Sequence, residues 1–430
     1  MTLTGCTDCP NPKNSFLRIT PFIPARTTPA EGAATTTGVN VQVKQPDGTY
    51  SEVQLSSTQP YGVIGSSNAL AGIQAEGTQA FLASSAGPAG VGRPSQPVAM
   101  GDFIGDGTLG AAYVPVASSP NYVIVTFATK QLTYGSSKSY TVGANAQGVI
   151  AADFNGDGKT DLAVAFSGDG TNPGGVAILL SNGTGTFAAP VTYPAGTSPI
   201  SLAALDLNHD GKLDLAVADN GASPGKVYIL LGKGDGTFQP AVNYPVGRNP
   251  LSVTVADFDG DGNPDLAVTA HDNSLSILLG NNDGTFRSGS SYATGSNPMY
   301  VAAGDFNKDG KMDLAVANAG AQTVSVFMGN GNGTFRAGAS YAVSYEPQSL
   351  VITDYNGDGN LDIIQGSGDA RCIGPGVQNS TIDFLLGNGD GTFQGAVSTI
   401  VPGSQGSVGS FAATGDFNGD GKTDVIVNDE

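Results

Sequence analysis

The sequence predicts an all-β protein, a seven-bladed β-propeller of four-stranded antiparallel blades. Three observations predict it. The 430-residue chain repeats one acidic phrase seven times, at starts 51, 53, 51, 48, 49 and 62 residues apart. Self-similarity at a near-constant period marks stacked supersecondary units and outranks any local assignment. Each phrase lies between short apolar runs, and glycine contributes 63 residues, as many tight turns require. A second turn, ending in Gly-Thr-Phe, follows most copies at Phe187, Phe238, Phe286, Phe335 and Phe393.

The stretch 251–298 shows one full unit: strand, acidic loop, strand, short connection, strand, turn, strand. Asp-Gly and Asn-Gly before Thr-Phe are strong hairpin signals. The Phe is expected to fill the space between neighbouring sheets. Four antiparallel strands repeated about seven times make a propeller. The first blade's second hairpin, in NYVIVTFATKQLTYGSSKSYTV, is degenerate but present.

The acidic phrase starts at Asp153, Asp206, Asp257, Asp305, Asp354 and Asp416, with a worn copy, DFIGDGTLG, at Asp102. Intact copies follow D-x-[DN]-x-D-G-x-x-D. Oxygen side chains fall at positions 1, 3, 5 and 9. In the first intact copy these are Asp153, Asn155, Asp157 and Asp161, and in the second Asp206, Asn208, Asp210 and Asp214. Asp257, Asp259, Asp261 and Asp265 follow, then Asp305, Asn307, Asp309 and Asp313. Asp354, Asn356, Asp358 and Asp362 precede the last set, Asp416, Asn418, Asp420 and Asp424. Position 7 can add a main-chain carbonyl, from Lys159, Lys212, Asn263, Lys311, Asn360 and Lys422. Glycine at position 6 permits the sharp turn that points the donors inward. Hard oxygen donors at this spacing suit Ca²⁺, which takes six to eight oxygens, better than Mg²⁺, which keeps waters.

An EF-hand needs a bidentate Glu at position 12. Here that position holds Val164, Val217, Val268, Val316, Gln365 and Val427, and the chain continues as a strand. The loops therefore read as about six calcium sites between strands. Asx-turns without metal are the alternative, but they leave the converging carboxylates uncompensated. In the worn copy Ile104 and Gly110 replace two donors, so the loop at Asp102 is expected to be empty or weak.

Composition agrees. The formal net charge is −19, and the intact loops hold 19 of the 37 acidic residues. Much of the acidity is thus donor rather than general surface. The 18 Lys and Arg are scattered, which argues against nucleic-acid binding. No apolar run approaches the ~18 residues of a membrane helix. Catalysis has little support. His209 sits inside a loop at a non-donor position, and His271 follows a strand. Acid pairs for sugar chemistry would have to come from residues such as Asp169 and Asp369, which read as solvated loop positions.

The chain resembles the FG-GAP/VCBS repeat family, the propellers of integrin α-subunit heads and many bacterial surface proteins. The resemblance covers residues 96–430 and rests on the loop motif. It implies a seven-bladed ring, Ca²⁺ between the first two strands of blades, and an extracellular or cell-surface setting.

The last copy supplies two strands of a blade, and then the sequence ends. Residues 38–57, GVNVQVKQPDGTYSEVQLSS, match the missing half, with Tyr50 in the Phe place. They are expected to pair with the C-terminal strands and close the ring. Exchange of this hairpin between molecules, or a longer parent chain, are the alternatives. The expected organisation is an extended arm at 1–37, the hairpin at 38–57, an insertion at 58–95 and blades at 96–430, with 38–430 one domain.

Antiparallel blades put the acidic loops and Gly-Thr-Phe turns on one face. The insertions at 58–95, 168–175 and 366–380 then fall on the other, with recurrent connections starting at Tyr193, Tyr244, Tyr292 and Tyr341. Loops on a rigid ring often carry binding, so that face is the expected binding surface. Packing between blades is the expected role of the tyrosines. The function expected is non-enzymatic: binding, adhesion or assembly through protein partners, with a glycan ligand as the alternative. Cys6, Cys9 and Cys372 are an odd set. A disulfide from Cys6 or Cys9 to Cys372, or lipidation of Cys6 in LTGC, are the readings considered.

Overall fold

The structure, a computed structural model, describes residues 98–107, 109–115, 121–128, 134–169, 172–221, 224–367, 380–401, 411–415 and 424–428, with four short strands further upstream. Cys6, Cys9, Cys372 and loop residues 416–423 lie outside the described residues, as do most of the arm and the insertions.

Six four-stranded antiparallel blades form the ring, spanning 98–141, 146–194, 199–245, 250–293, 298–342 and 347–401. They are numbered blades 1 to 6 in chain order. Blade 1 includes the degenerate hairpin, Tyr122–Ala128 with Tyr134–Thr141. Second strands such as Asp161–Phe166 and Asp214–Asp219 are buried at every position. Such a strand packs a neighbouring blade on each side, so its sequence is continuously apolar rather than alternating. Outer strands such as Val191–Pro194 are largely exposed. Several first strands open with proline, as at Pro199 and Pro250, where a missing N–H is harmless, and a register shift follows.

The core lies between blades rather than within them. At the blade 4–5 junction Phe335 of the Gly-Thr-Phe turn packs edge-on against Phe258 and Tyr292, at 5.5 and 5.9 Å. The same trio recurs with Phe393, Phe306 and Tyr341 at the next junction. Phe238, Phe154 and Tyr193 form it between blades 2 and 3. Each edge-on pair contributes about 0.5–1.5 kcal/mol beyond area burial. The hydroxyls of Tyr292 and Tyr341 accept the Phe335 and Phe393 N–H groups at 2.8 and 2.9 Å. The recurrent tyrosines are therefore packing residues.

The expected seventh four-stranded blade is not formed. Phe411–Gly415 pairs with Asp424–Asn428 and lies against the first strands of blades 6 and 1, so the ring still closes. The next strand beside it, however, is Phe81–Leu82, in parallel. Val39–Lys44 and Tyr50–Leu55 form the expected hairpin, but its further neighbour is Phe16–Leu17, not the C-terminal strands. The arm and the insertion thus each contribute a strand. The difference falls where the aromatic seat changes. Blade 6 has Tyr355 at the loop position where blades 2, 4 and 5 have Phe, and Ile400 where blades 2 to 5 have Tyr. Tyr355 lies 4.7 Å from Phe384 of its own blade. An alternating pattern with a tight turn specifies a hairpin, not its docking partner.

First strands of blades 2 to 6 surround a central cavity of about 420 Å³, lined by Ile150, Leu202, Val253, Val301, Leu350, Thr254 and Tyr300 among others. Among the described residues no helix is long and apolar enough to cross a membrane.

Candidate metal centre

The acidic loops join the first and second strands of the blades. Each loop is built around its first aspartate. Asp153 Oδ1 accepts N–H groups from Asn155, Gly156 and Asp157, and Oδ2 accepts that of Gly158 at 2.8 Å. The position-6 glycines have φ between 78° and 85° at Gly158, Gly211, Gly262, Gly310 and Gly359, the left-handed region that favours glycine. Position 5 is exposed. The Oδ1 of Asp157, Asp210, Asp261, Asp309 and Asp358 accepts the position-7 N–H at 2.8–3.0 Å.

Position 9 is fully buried. Asp265 Oδ2 accepts the Phe258 N–H at 2.9 Å, and Oδ1 accepts the Gly280 N–H from the third strand at 2.7 Å. Asp161, Asp214, Asp313 and Asp362 make the same two bonds. Burial, against the pull of those N–H groups, pushes the carboxyls of Asp161, Asp214 and Asp265 up to about 6, and neighbouring loop aspartates add to the rise. Asp313 and Asp362 are raised for the same first cause.

In blade 4 the carboxylates converge. Oxygens of Asp257, Asp259 and Asp265 lie within 4.8 Å of one another. Three hard anionic donors, one fully buried, in so small a space fit a divalent cation of the calcium type. The fourth aspartate, Asp261, adjoins Asp259, whose Oδ1 accepts its main-chain N–H at 3.3 Å, and its own carboxylate accepts from the main-chain and side-chain nitrogens of Asn263 at 2.8 and 2.9 Å. In the other described intact loops position 3 is Asn155, Asn208, Asn307 or Asn356, so the matching donor is an amide oxygen. Lys159, Lys212 and Lys311, singled out for their carbonyls, also pair through Nζ with Asp157, Asp210 and Asp309 at 2.7, 3.1 and 3.4 Å. Asp416, Asn418, Asp420 and Lys422 lie outside the described residues, and nothing is described of the Asp424 side chain.

Sequence reading missed two features. One is the double role of position 9, which needs a partner N–H some 15–25 residues away. The other is Arg287, whose Nη2 lies 3.2 Å from Asp259 Oδ2. Its signal was available: the only copy with a fourth aspartate has an arginine after its Gly-Thr-Phe turn. His209 occupies loop position 4 with φ 59° and is exposed. Asp169 is tied to Asn172.

On the opposite face, connections between blades are held by acidic side chains. Asp219 Oδ1 accepts N–H groups of Thr197 and Ser198, Asp272 that of Arg248, and Asp383 that of Ser344.

An FG-GAP-like repeat model matches residues 153–217, 206–268, 257–316, 305–364 and 372–427, more than half of the chain. Four of the five matched segments begin at the first aspartate of a loop. Among curated proteins, integrin alpha-PS5 of Drosophila melanogaster is 31% identical over 143 residues, covering 28% of this chain and 14% of the integrin. This chain thus matches a small part of that relative's length. Among solved structures, BBS1N in complex with ARL6DN aligns with a TM-score of 0.51 at 13% identity, covering 76% of this chain and 87% of that one. The periplasmic gluconolactonase PpgL of Pseudomonas aeruginosa aligns with a TM-score of 0.50 at 14% identity, covering 85% and 93%. At such identities the likeness is one of fold.

Proposed function

The chain belongs to the FG-GAP-like repeat family, and from that premise we propose that it is a calcium-stabilised, extracellular or cell-surface propeller that serves as a protein-interaction module in binding, adhesion or assembly. The observation that carries the calcium reading is the convergence of Asp257, Asp259 and Asp265. The integrin similarity supports the interaction reading and the setting. Positions 1, 3, 5 and 9 of each intact loop, with the position-7 carbonyl, are the proposed donors. Calcium supplies the positive charge that the clustered carboxylates call for. The loop at Asp102 is proposed to be empty or weak.

The geometry supports a division of labour between the two faces. Loop aspartates hold strand to strand, and the Phe306 carbonyl in a loop accepts the Gly391 N–H of the next blade's turn at 3.1 Å. The opposite face carries the connections held by Asp219, Asp272 and Asp383. Fixed loops on a rigid ring suit recognition, so that face is the proposed partner surface.

Extracellular modules bind Ca²⁺ with Kd of ~10⁻⁴ to 10⁻³ M. At about 1 mM Ca²⁺ and Kd of about 0.1 mM, one site adds about 1.4 kcal/mol. Six such sites add roughly 8 kcal/mol, comparable to a domain's total stability of about 5–15 kcal/mol. Thermal unfolding with 1 mM CaCl₂ and with chelator tests this: the chelated protein is expected to melt well below the loaded one, and equal Tm values would end the calcium reading. A glycan array in millimolar Ca²⁺, with a chelated duplicate, tests the interaction reading. Folded protein is expected to leave it blank, and calcium-dependent hits on related sugars would replace the protein partner with a carbohydrate.

A further inference from the structure

Blade 4 differs from the other blades in where its loop meets a cation. In blades 2, 3 and 5 a local lysine pairs with position 5, as Lys159 does with Asp157, Lys212 with Asp210 and Lys311 with Asp309, whereas blade 6 has Asn360 in the lysine's place. Such a lysine pairs with an exposed carboxylate, not with the position-3 side chain. Blade 4 has Asn263 where that lysine stands, and its cation arrives from elsewhere. Arg287, on the fourth strand opposite Leu279, reaches Asp259 Oδ2 at 3.2 Å. Asp259 belongs to the converging trio, and its side chain is only 11% exposed, whereas that of Arg287 is 54% exposed.

The repeats supply a matched comparison. Blade 5 has Arg336 at the same register, opposite Met328, but Asn307 at position 3. Blades 2, 3 and 6 have Ala188, Gln239 and Gln394 after the turn Phe. An arginine facing an aspartate at position 3 is therefore peculiar to blade 4 among the described loops. A guanidinium is permanently charged, and its long stem lets the head leave for water without disturbing the strand.

We propose that Arg287 is a tethered counter-cation, which holds Asp259 when no divalent ion is bound and competes with that ion for the fourth-blade loop, thereby lowering the loop's calcium affinity. The inference rests on the reading that these loops hold calcium. In the metal-free chain the guanidinium offsets part of the charge of four clustered aspartates. When a divalent cation enters, the same guanidinium becomes a like charge beside it and must swing outward. The loop so equipped fills at higher calcium than it otherwise would, yet stays folded without it.

The full-length chain is the test object. Arg287→Gln, Arg336→Gln, Asp259→Asn and the Arg287→Gln/Asp259→Asn double variant are melted in chelator and across a CaCl₂ titration. Arg287→Gln is expected to lower Tm in chelator and to enlarge the calcium-induced rise, as for one site about fivefold tighter. Arg336→Gln should do neither, and the Arg287→Gln effect on the calcium response should vanish in the Asp259→Asn background. An unchanged or smaller calcium-induced rise in Arg287→Gln would overturn the inference. A wild-type chain whose Tm ignores calcium would instead overturn the calcium reading on which it rests, so the two failures are told apart.

Discussion

The loops at Asp102 and Asp257 share a backbone and differ in their side chains. Asp102 accepts N–H groups from Ile104, Gly105, Asp106 and Gly107, and Asp257 accepts those of Gly260 and Gly262. Their glycines have nearly the same φ: 75° and 82° at Gly105 and Gly107, against 76° and 85° at Gly260 and Gly262. The turn is therefore shaped by the first aspartate and two left-handed residues. The donor set at positions 3 and 9 is a separate layer laid on that turn. Ile104 and Gly110 omit the layer in blade 1, and the turn survives. A conserved-looking loop outline in this fold is thus poor evidence for an ion, and convergence of carboxylates is much better.

The largest effect separating the two loops should come from position 9. Asp265→Ala removes the acceptor of two buried N–H groups, those of Phe258 and Gly280. Each orphaned group costs about 1–3 kcal/mol, so a loss of roughly 3 kcal/mol is expected in chelator, before any calcium is lost. Denaturant unfolding of metal-free protein measures it. A loss confined to calcium-containing buffer would show that position 9 serves only the ion. The reverse graft should fail as well. A Cβ at Gly110 would stand 2.6 Å from the Thr126 carbonyl oxygen and 3.0 Å from the Phe103 ring. Gly110→Asp is therefore expected to destabilise blade 1 rather than restore a site.

A smaller effect is expected at position 1, where the loops are most alike. Asp102→Asn and Asp257→Asn should each cost on the order of 1 kcal/mol in chelator, because an amide leaves one acceptor oxygen for the turn. Only Asp257→Asn should also reduce the calcium-induced rise in Tm. An equal reduction in Asp102→Asn would mean that the worn loop binds after all.

Acidity should sharpen the contrast in another way. The Asp265 carboxyl, at about 6 in the metal-free fold, lies above its unfolded value of about 3.9. Between those values the folded state holds the proton and the unfolded state does not. Stability of metal-free protein should therefore fall as pH rises from about 4 through 6 and then level off. Asp161 and Asp214 act alike, and blade 1, with Gly110, adds nothing. Melting of metal-free protein at pH 4.5 and 7.5 checks the sign, and a higher Tm at pH 7.5 would refute it.

How much was legible in the sequence follows the same two layers. The loop motif and its period revealed the four-stranded blades, if one too many, and the acidic loops between their first and second strands, because these are local or repeat regularly. Tyr193, Tyr244, Tyr292 and Tyr341 were read as packing residues because they recur at one point of the unit. The closing strands were not legible. V-x-V-x-V before Asp47 and Gly48 specifies a hairpin, but nothing in that pattern names the strand it docks on. The parallel partner Phe81–Leu82 has only two residues and no periodicity to betray it. Arg287 was easy to overlook because its partner lies 28 residues away, although Asp259, the one aspartate at position 3, marked the copy.

The smallest effect should come from the local lysines, a feature that blade 1, with Thr108 at position 7, lacks entirely. Lys159 and Asp157 sit at 2.7 Å, but both are well exposed, and so are Lys212–Asp210 and Lys311–Asp309. Exposed pairs gain little over their hydrated components and are screened by salt. The position-5 carboxylate also keeps its bond to the position-7 N–H whatever the side chain there, so the loop does not depend on the amine. A triple variant, Lys159→Met, Lys212→Met and Lys311→Met, should melt in chelator almost with the parent at 150 mM NaCl, and any gap should close further at 1 M. A drop as large as that of Asp257→Asn would instead place these lysines among the residues that shape the turn, and the separation between turn and donor set drawn from Asp102 would not hold.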